Sequence, residues 1–159
     1  MTLSIRAGEK RDVHVIAELI LGLARFERLE DQVTMTEEKL ERSMFGDRAY
    51  AEALIAEDDG EAVGFALFFH NFSTFLGQQG LYLEDLFVLP EGRGKGVGRK
   101  LLERLAQVAV ERDCGRLEWA VLDWNKDAIR FYERLGARPN EEWTTYRLTG
   151  EPLRALAGQ

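Results

Sequence analysis

The sequence predicts an α/β (α+β) fold, in which a mixed, mostly antiparallel and twisted sheet is flanked by about four helices. Three observations predict it. Strand-like and helix-like runs alternate irregularly along the chain, an Asp-Asp-Gly turn joins two neighbouring strands, and 159 residues, 45% of them hydrophobic, can bury one core. We therefore expect a single domain over residues 1–159.

The first two elements are a short strand and a long helix. Residues 3–6 alternate like a strand, and residues 12–29 place apolar side chains at helical spacing behind a possible cap, Asp12. This pattern predicts that one face of the helix is buried. The stripe consists of Val13, Ile16, Leu19, Ile20, Leu23 and Phe26.

The middle of the chain adds a short helix and three strands. Residues 34–46 begin with a capping box, in which Thr34 is followed three residues later by a glutamate, and they end at Gly46. Residues 50–70 form two strands around the Asp-Asp-Gly turn, and the almost wholly apolar second strand is expected to be central. A further strand, residues 81–89, leads into a glycine-rich loop.

The last part of the chain predicts a strand, a helix and a closing strand. Residues 116–124 have strand-like composition, and residues 125–137 form a helix that Asn125 caps and Gly136 ends. Residues 141–148, EEWTTYRL, have the pattern of a final strand.

Charge and composition exclude several classes of protein. The formal net charge of −7 argues against a nucleic-acid-binding protein and is compatible with a small cationic partner. Because no apolar run approaches membrane-spanning length and no hydrophobic secretion signal is present, we expect a cytoplasmic protein that does not bind a membrane. The single cysteine, Cys114, is expected to be a packing residue, and the isolated His14 and His70 predict no metal site.

Glycines and basic residues are concentrated in residues 90–109, PEGRGKGVGRKLLERLAQVA. Glycine permits close approach to the backbone, and a helix start presents unpaired N–H groups with partial positive charge, so the segment is expected to bind an anion. The helix that follows has its own apolar stripe, made of Val97, Leu101, Leu105, Val108 and Ala109.

Two common phosphate loops do not fit this segment. A nucleoside-triphosphate loop needs a hydroxyl residue after Gly-Lys, whereas Gly98 is followed by two basic residues. A dinucleotide loop needs G-x-G-x-x-G, but that spacing ends on Val97 when counted from Gly92 and on Arg99 when counted from Gly94.

The run that does fit is R-x-x-G-x-G over residues 93–98, between an apolar strand and an amphipathic helix. It resembles the pyrophosphate loop of the GCN5-related N-acetyltransferases (GNAT), whose successive backbone N–H groups hold the diphosphate of acetyl-coenzyme A without a metal. The resemblance implies a GNAT-like domain with acetyl-coenzyme A as cosubstrate. The implied cofactor-binding residues are Leu86, Phe87, Val88, Arg93, Gly94, Lys95, Gly96, Val97, Gly98, Arg99, Asn125 and Tyr132.

Three stretches resemble one branch of that superfamily, the diamine (spermidine/spermine) N-acetyltransferases and their thialysine-acetylating relatives. They are residues 23–33, LARFERLEDQV, residues 81–89, LYLEDLFVL, and residues 125–137, NKDAIRFYERLGA. The resemblance implies acetylation of a primary amine on a small polycationic molecule, and a homodimer. The sequence departs from the polyamine enzymes at Phe26, where a tyrosine is usual, which leaves the identity of the amine open.

Acetyl transfer to an alkyl amine needs a base and an acid. The amine is mostly an ammonium ion near neutral pH and has no lone pair until a proton is removed, and the departing thiolate must be protonated. The resemblance implies that Glu84 is the base and Tyr132 the acid. Strict alternation along residues 81–89 would place Glu84 and Asp85 on opposite faces of the strand.

Fixed negative charge would select the substrate. The resemblance assigns Glu27, near the end of the first helix, to a distal ammonium group, with Phe26, Glu84 and Asp85 as further substrate-binding residues. Other interpretations stay open at this point. Tyr132 could be a core aromatic, Glu84 a salt-bridge partner and Glu27 part of a solvated helix end. The substrate could be thialysine, an aminoglycoside-like compound or a protein N-terminus, and the protein could instead be a non-catalytic acyl-coenzyme A sensor.

Overall fold

The computed structural model of the protein describes residues 2–159. The chain divides into two compact units, of which the first ends at Ala120 and the second comprises Val121–Gln159. The single domain expected from the sequence stays a prediction. No helix in residues 2–159 is both long and apolar enough to cross a membrane.

Residues 2–159 form five β-strands, five α-helices and three short 3₁₀ turns, which confirms the predicted α/β fold class. The strands are β1 (Leu3–Ala7), β2 (Glu52–Asp58), β3 (Glu61–Ser73), β4 (Gln78–Val88) and β5 (Leu117–Trp119). The helices are α1 (Val13–Phe26), α2 (Glu37–Phe45), α3 (Val97–Glu111), α4 (Lys126–Arg134) and α5 (Gly150–Leu156). The 3₁₀ turns are Lys10–Asp12, Glu30–Gln32 and Pro90–Gly92.

The first unit contains one open sheet whose strands lie in chain order, from β1 to β5. Strands β1 to β4 pair antiparallel, and β5 pairs parallel to β4. Asp59 and Gly60 connect β2 to β3 with φ values of 51° and 87°, the left-handed conformation that a tight hairpin turn requires. The predicted hairpin and the central position of β3 are confirmed.

Helices α1 and α2 pack on one face of this sheet, and the predicted apolar stripe of α1 supplies much of the core. That core consists of Ile16, Leu19, Leu23, Met44, Ala53, Ile55, Phe65, Leu67 and Phe87. Helix α3 packs against β1 to β4 through its own stripe, in which Val97, Leu101 and Leu105 are almost completely buried. Both stripes therefore hold their helices against the sheet.

The helix caps differ from the sequence-based expectation in two places. Helix α2 is capped by Thr36, not Thr34, because the Thr36 hydroxyl accepts a hydrogen bond from the Lys39 amide at 3.1 Å. Asp12 makes no capping hydrogen bond to α1. Its carboxylate instead accepts two hydrogen bonds from Arg6, both 2.8 Å long, and this contact holds the pKa of Asp12 below its usual range.

The strands expected near the end of the chain are shorter than predicted or missing. Strand β5 covers only three residues of the segment 116–124, and residues 141–148 form no strand. In that second segment Trp143 and Tyr146 are 77% and 91% exposed, and the sheet of β1 to β5 does not include it, so its strand-like composition forms no strand. Helix α4 agrees with its prediction, since Asn125 caps it through the Ala128 amide and Gly136 follows it with a φ of 98°.

Candidate active site

Strand β4 loses its outer partner halfway along its length. Pairing with β5 extends only from Leu81 to Leu83, while pairing with β3 continues to Val88. In residues 2–159 the edge of β4 from Glu84 onward therefore has no neighbouring strand on that side. The main-chain groups of this half-strand are left for another partner.

A β-bulge lies at the point where β5 ends. Leu83 is opposite Phe68 and Asp85 is opposite Leu67, so Glu84 is the extra residue of β4. A bulge shifts the side-chain pattern by one residue, and the strict alternation predicted for this strand is therefore wrong. The Glu84 side chain is exposed.

The altered register places Asp85 on the helix α1 side of the sheet. Asp85 is opposite Leu67, and Phe87 is opposite Phe65. The apolar residues Leu67, Phe87 and Phe65 all belong to the core under α1 and α2. Tyr82 is on the same face, where it lies opposite Phe69 with ring centroids 5.3 Å apart.

Three carboxylates influence one another at this point. Burial raises the pKa of Asp85 to about 6, with smaller contributions from the negative charges of Glu84 and Glu27. Burial also raises the pKa of Glu27. The cluster of Glu27, Glu84 and Asp85, which we term the acidic pocket, attracts cations, and an ammonium group there would relieve the mutual repulsion.

The hydroxyl of Tyr82 was not among the candidates from sequence. Its pKa is raised, first by burial and then by Glu84 and Glu118, so the hydroxyl keeps its proton and remains a hydrogen-bond donor. The sequence contains a signal for it, because a spacing of two residues places Tyr82 and Glu84 on one face of a regular strand. The bulge at Glu84 interrupts that alternation, so the sequence alone does not show which face each residue occupies.

A close helix–strand contact brings Glu27 to this strand. Gly22 lies in the middle of α1, and a Cβ at that position would be 2.8 Å from Cε2 of Phe87. The absence of a side chain at Gly22 lets α1 approach β4, and the ring centroids of Phe26 and Phe87 are 6.5 Å apart. The end of α1, where Glu27 follows Phe26, therefore lies near Asp85.

The glycine-rich loop follows β4 after one 3₁₀ turn and presents free amides. Gly94 and Gly96 each have a φ of 76°, a conformation that side-chain-bearing residues adopt at a cost. The amide of Arg93 donates to the carbonyl of Pro90 at 3.2 Å, whereas in residues 2–159 the amides from Gly94 to Arg99 have no acceptor. Successive unpaired N–H groups at a helix start form an anion-binding nest.

The basic side chains of the loop lie in different directions. Lys95 Nζ is 4.0 Å from Asp58 on β2, and Arg99 Nε is 3.0 Å from Glu103 on α3. The Arg93 guanidinium instead lies over two rings beside the acidic pocket, 5.2 Å from the Phe26 centroid and 5.6 Å from that of Phe87.

Two predicted site residues belong to the second unit. Asn125 caps α4, which is a structural role in itself. Tyr132 lies in α4 half-buried, with its ring centroid 5.6 Å from that of Phe131. Their contacts with a cofactor, and the action of Tyr132 as an acid, stay predictions.

Comparison with known proteins identifies the family of this chain. The family model described as "Acetyltransferase (GNAT) family" matches residues 18–137. A thialysine N-epsilon-acetyltransferase from Bos taurus is 40% identical over 98% of this chain and 97% of its own length. The spermidine/spermine N(1)-acetyltransferase-like protein 1 from Homo sapiens is 33% identical over 96% of this chain and 23% of its own length.

A solved structure has the same fold. The integron cassette protein from V. cholerae superimposes with a TM-score of 0.83 at 27% sequence identity, and the alignment covers 100% of this chain and 99% of that one. The resemblance to diamine and thialysine acetyltransferases, inferred from three sequence stretches, is confirmed. The chain belongs to the acetyltransferase (GNAT) family.

Proposed function

We propose that this acetyltransferase transfers the acetyl group of acetyl-coenzyme A to a primary amine of a small molecule that carries a second cationic group. The observation that supports this proposal best is the row of amides from Gly94 to Arg99 without acceptors, next to the strand that carries Glu84 and Asp85. The proposed diphosphate site thus follows the Val88 end of this half-strand, and the proposed amine site lies at its Glu84 end.

The amides of the loop would hold the diphosphate of the cosubstrate. Two left-handed glycines, Gly94 and Gly96, let consecutive N–H groups converge on one anion, and the start of α3 adds its partial positive charge. Leu86, Phe87 and Val88 lie in the part of β4 that has no strand neighbour on the β5 side, where an extended ligand can pair with main-chain groups.

The reaction then needs one proton acceptor and one proton donor. Glu84 would take a proton from the substrate ammonium, directly or through water, so that the nitrogen lone pair attacks the thioester carbonyl carbon. The C–N bond forms, the C–S bond breaks, and the coenzyme A thiolate takes a proton from Tyr132. The second proton that the nitrogen loses on becoming an amide restores Tyr132, and Glu84 returns its proton to solvent. The exposed position of Glu84 at the bulge leaves its carboxylate accessible to a substrate.

The acidic pocket supports a substrate with two cationic groups. Glu84 and Asp85 would receive the reacting amine, and Glu27, whose carboxylate is partly buried at the end of α1, would receive the distal cation. One relative acts, by its name, on thialysine, and another is named as similar to a spermidine/spermine acetyltransferase. All three of these compounds combine a primary amine with another cationic nitrogen. The higher identity to the thialysine enzyme favours a diamino acid over a polyamine.

An amine panel tests this proposal. Thiol release from acetyl-coenzyme A is measured with thialysine, ornithine, spermidine, butylamine and a neutral tripeptide, for the wild type and for Glu27→Gln. We expect release with thialysine, ornithine and spermidine, which each carry at least two cationic groups, and we expect the substitution to raise KM for them by about tenfold while KM for butylamine changes little. Equal effects on both amine types would exclude the recognition role of Glu27. Tight coenzyme A binding without release for any amine would indicate a non-catalytic sensor.

A further inference from the structure

Arg93 opens the glycine-rich loop, yet its side chain contacts residues outside the loop. Its Nε donates a 2.9 Å hydrogen bond to the carbonyl of Val88, the last residue of β4. Beyond that bond its guanidinium lies over the rings of Phe26 and Phe87, at 5.2 Å and 5.6 Å from their centroids. One side chain thus contacts the end of a strand and the end of a helix.

Both rings adjoin the acids of the pocket. Phe26 immediately precedes Glu27 in the chain, and Phe87 occupies the same face of β4 as Asp85. Phe26 is 42% exposed, and its contacts include the ring of Phe87 and the guanidinium of Arg93. A cation over an aromatic face attracts the ring, and Arg does so through its planar guanidinium.

The other cations of the loop have different partners. Lys95 reaches Asp58 on β2, and Arg99 reaches Glu103 one helical turn further along α3. Of Arg93, Lys95 and Arg99, it is therefore Arg93 that contacts the two rings beside the acidic pocket.

We infer that Arg93 is a positioning residue that couples diphosphate binding at the glycine-rich loop to amine binding at the acidic pocket. Binding of a diphosphate orders the loop backbone at Arg93, and the ordered guanidinium fixes Phe26 and with it the start of the segment that carries Glu27. Cofactor binding then raises the affinity for the amine, and the amine raises the affinity for the cofactor by the same factor. This inference rests on the proposed function, since it needs both ligands.

Calorimetric titration with coenzyme A and thialysine tests the coupling without turnover, because coenzyme A carries no acetyl group. Thialysine affinity is measured with and without saturating coenzyme A, and the ratio of the two dissociation constants is the coupling factor. For the wild type we expect a factor of about five or more. Arg93→Met and Phe26→Leu should each bring the factor close to one.

Lys95→Met is the matched control, since it removes the same charge from the same loop without touching Phe26. It should weaken coenzyme A binding and leave the coupling factor at the wild-type value. If Arg93→Met keeps that value, or if the wild type shows no coupling, the inference is overturned. A wild type that binds neither coenzyme A nor any amine of the panel would instead overturn the proposed function, so the two failures are distinguishable.

Discussion

Replacing Asp85 by asparagine should stabilise the fold at neutral pH. Burial raises the pKa of this carboxyl from 3.8 to about 6, so the folded protein holds the proton more tightly than the unfolded chain does. The free energy of unfolding therefore falls as pH rises from about 4 to about 6, because over this range the unfolded chain has released the proton and the folded protein still holds it. A difference of roughly two pKa units lowers the free energy of unfolding by about 3 kcal/mol at pH 7. This value is the upper limit of the stability that Asp85→Asn restores.

Urea unfolding between pH 4 and pH 8 measures this effect. At pH 4 wild type and Asp85→Asn should differ by about 0.5 kcal/mol, and the difference should grow to at most about 3 kcal/mol at pH 7. Glu84→Gln is the matched control: it neutralises the neighbouring acid, which is exposed, and should stay within about 0.5 kcal/mol of wild type. A constant difference between wild type and Asp85→Asn across this pH range would refute the argument that a buried charge destabilises the fold.

Two further predictions concern the cofactor. Tyr132→Phe removes the proposed acid and should lower kcat by about 100-fold while calorimetry shows unchanged coenzyme A affinity; a large loss of folding stability instead would identify a core aromatic. Gly96→Ala forces an L side chain into a φ of 76° and should lower the free energy of unfolding by about 1–2 kcal/mol as well as weaken coenzyme A binding. Gly98→Ala lies in α3, and its Cβ would meet Val88 at an ordinary 3.8 Å, so it should not lower stability; equal losses in both alanine variants would contradict the conformational argument.

Local features of the fold could be predicted from the sequence because their causes are local. The apolar stripe of α1 and the Asp59-Gly60 turn each follow from residues within one element or one connection. The end of the chain could not be predicted in this way, since residues 141–148 have strand-like composition but a strand exists only where another strand pairs with it.

Within the candidate site, the residue types could be predicted but their arrangement could not. The loop glycines and the acids of the first helix end and of β4 are visible in the sequence. The position of the bulge depends on how β3 pairs with β4, and the path of the Arg93 side chain depends on the distance between α1 and β4. Gly22 is a partial signal for that distance, because a glycine inside a helix often marks a close approach.

The bulge explains why Glu84 is available for chemistry. Leu83 is buried opposite Phe68 before the bulge, and Phe87 is buried opposite Phe65 after it, on the other face. Without the extra residue, one of these two side chains would be turned to the wrong face, so packing on both sides enforces the insertion at this point. The inserted side chain, that of Glu84, is exposed and does not pack in the core. The core thus holds the backbone of Glu84 in place while its carboxylate remains free to meet an ammonium group, which is the arrangement that a proton acceptor in this reaction requires.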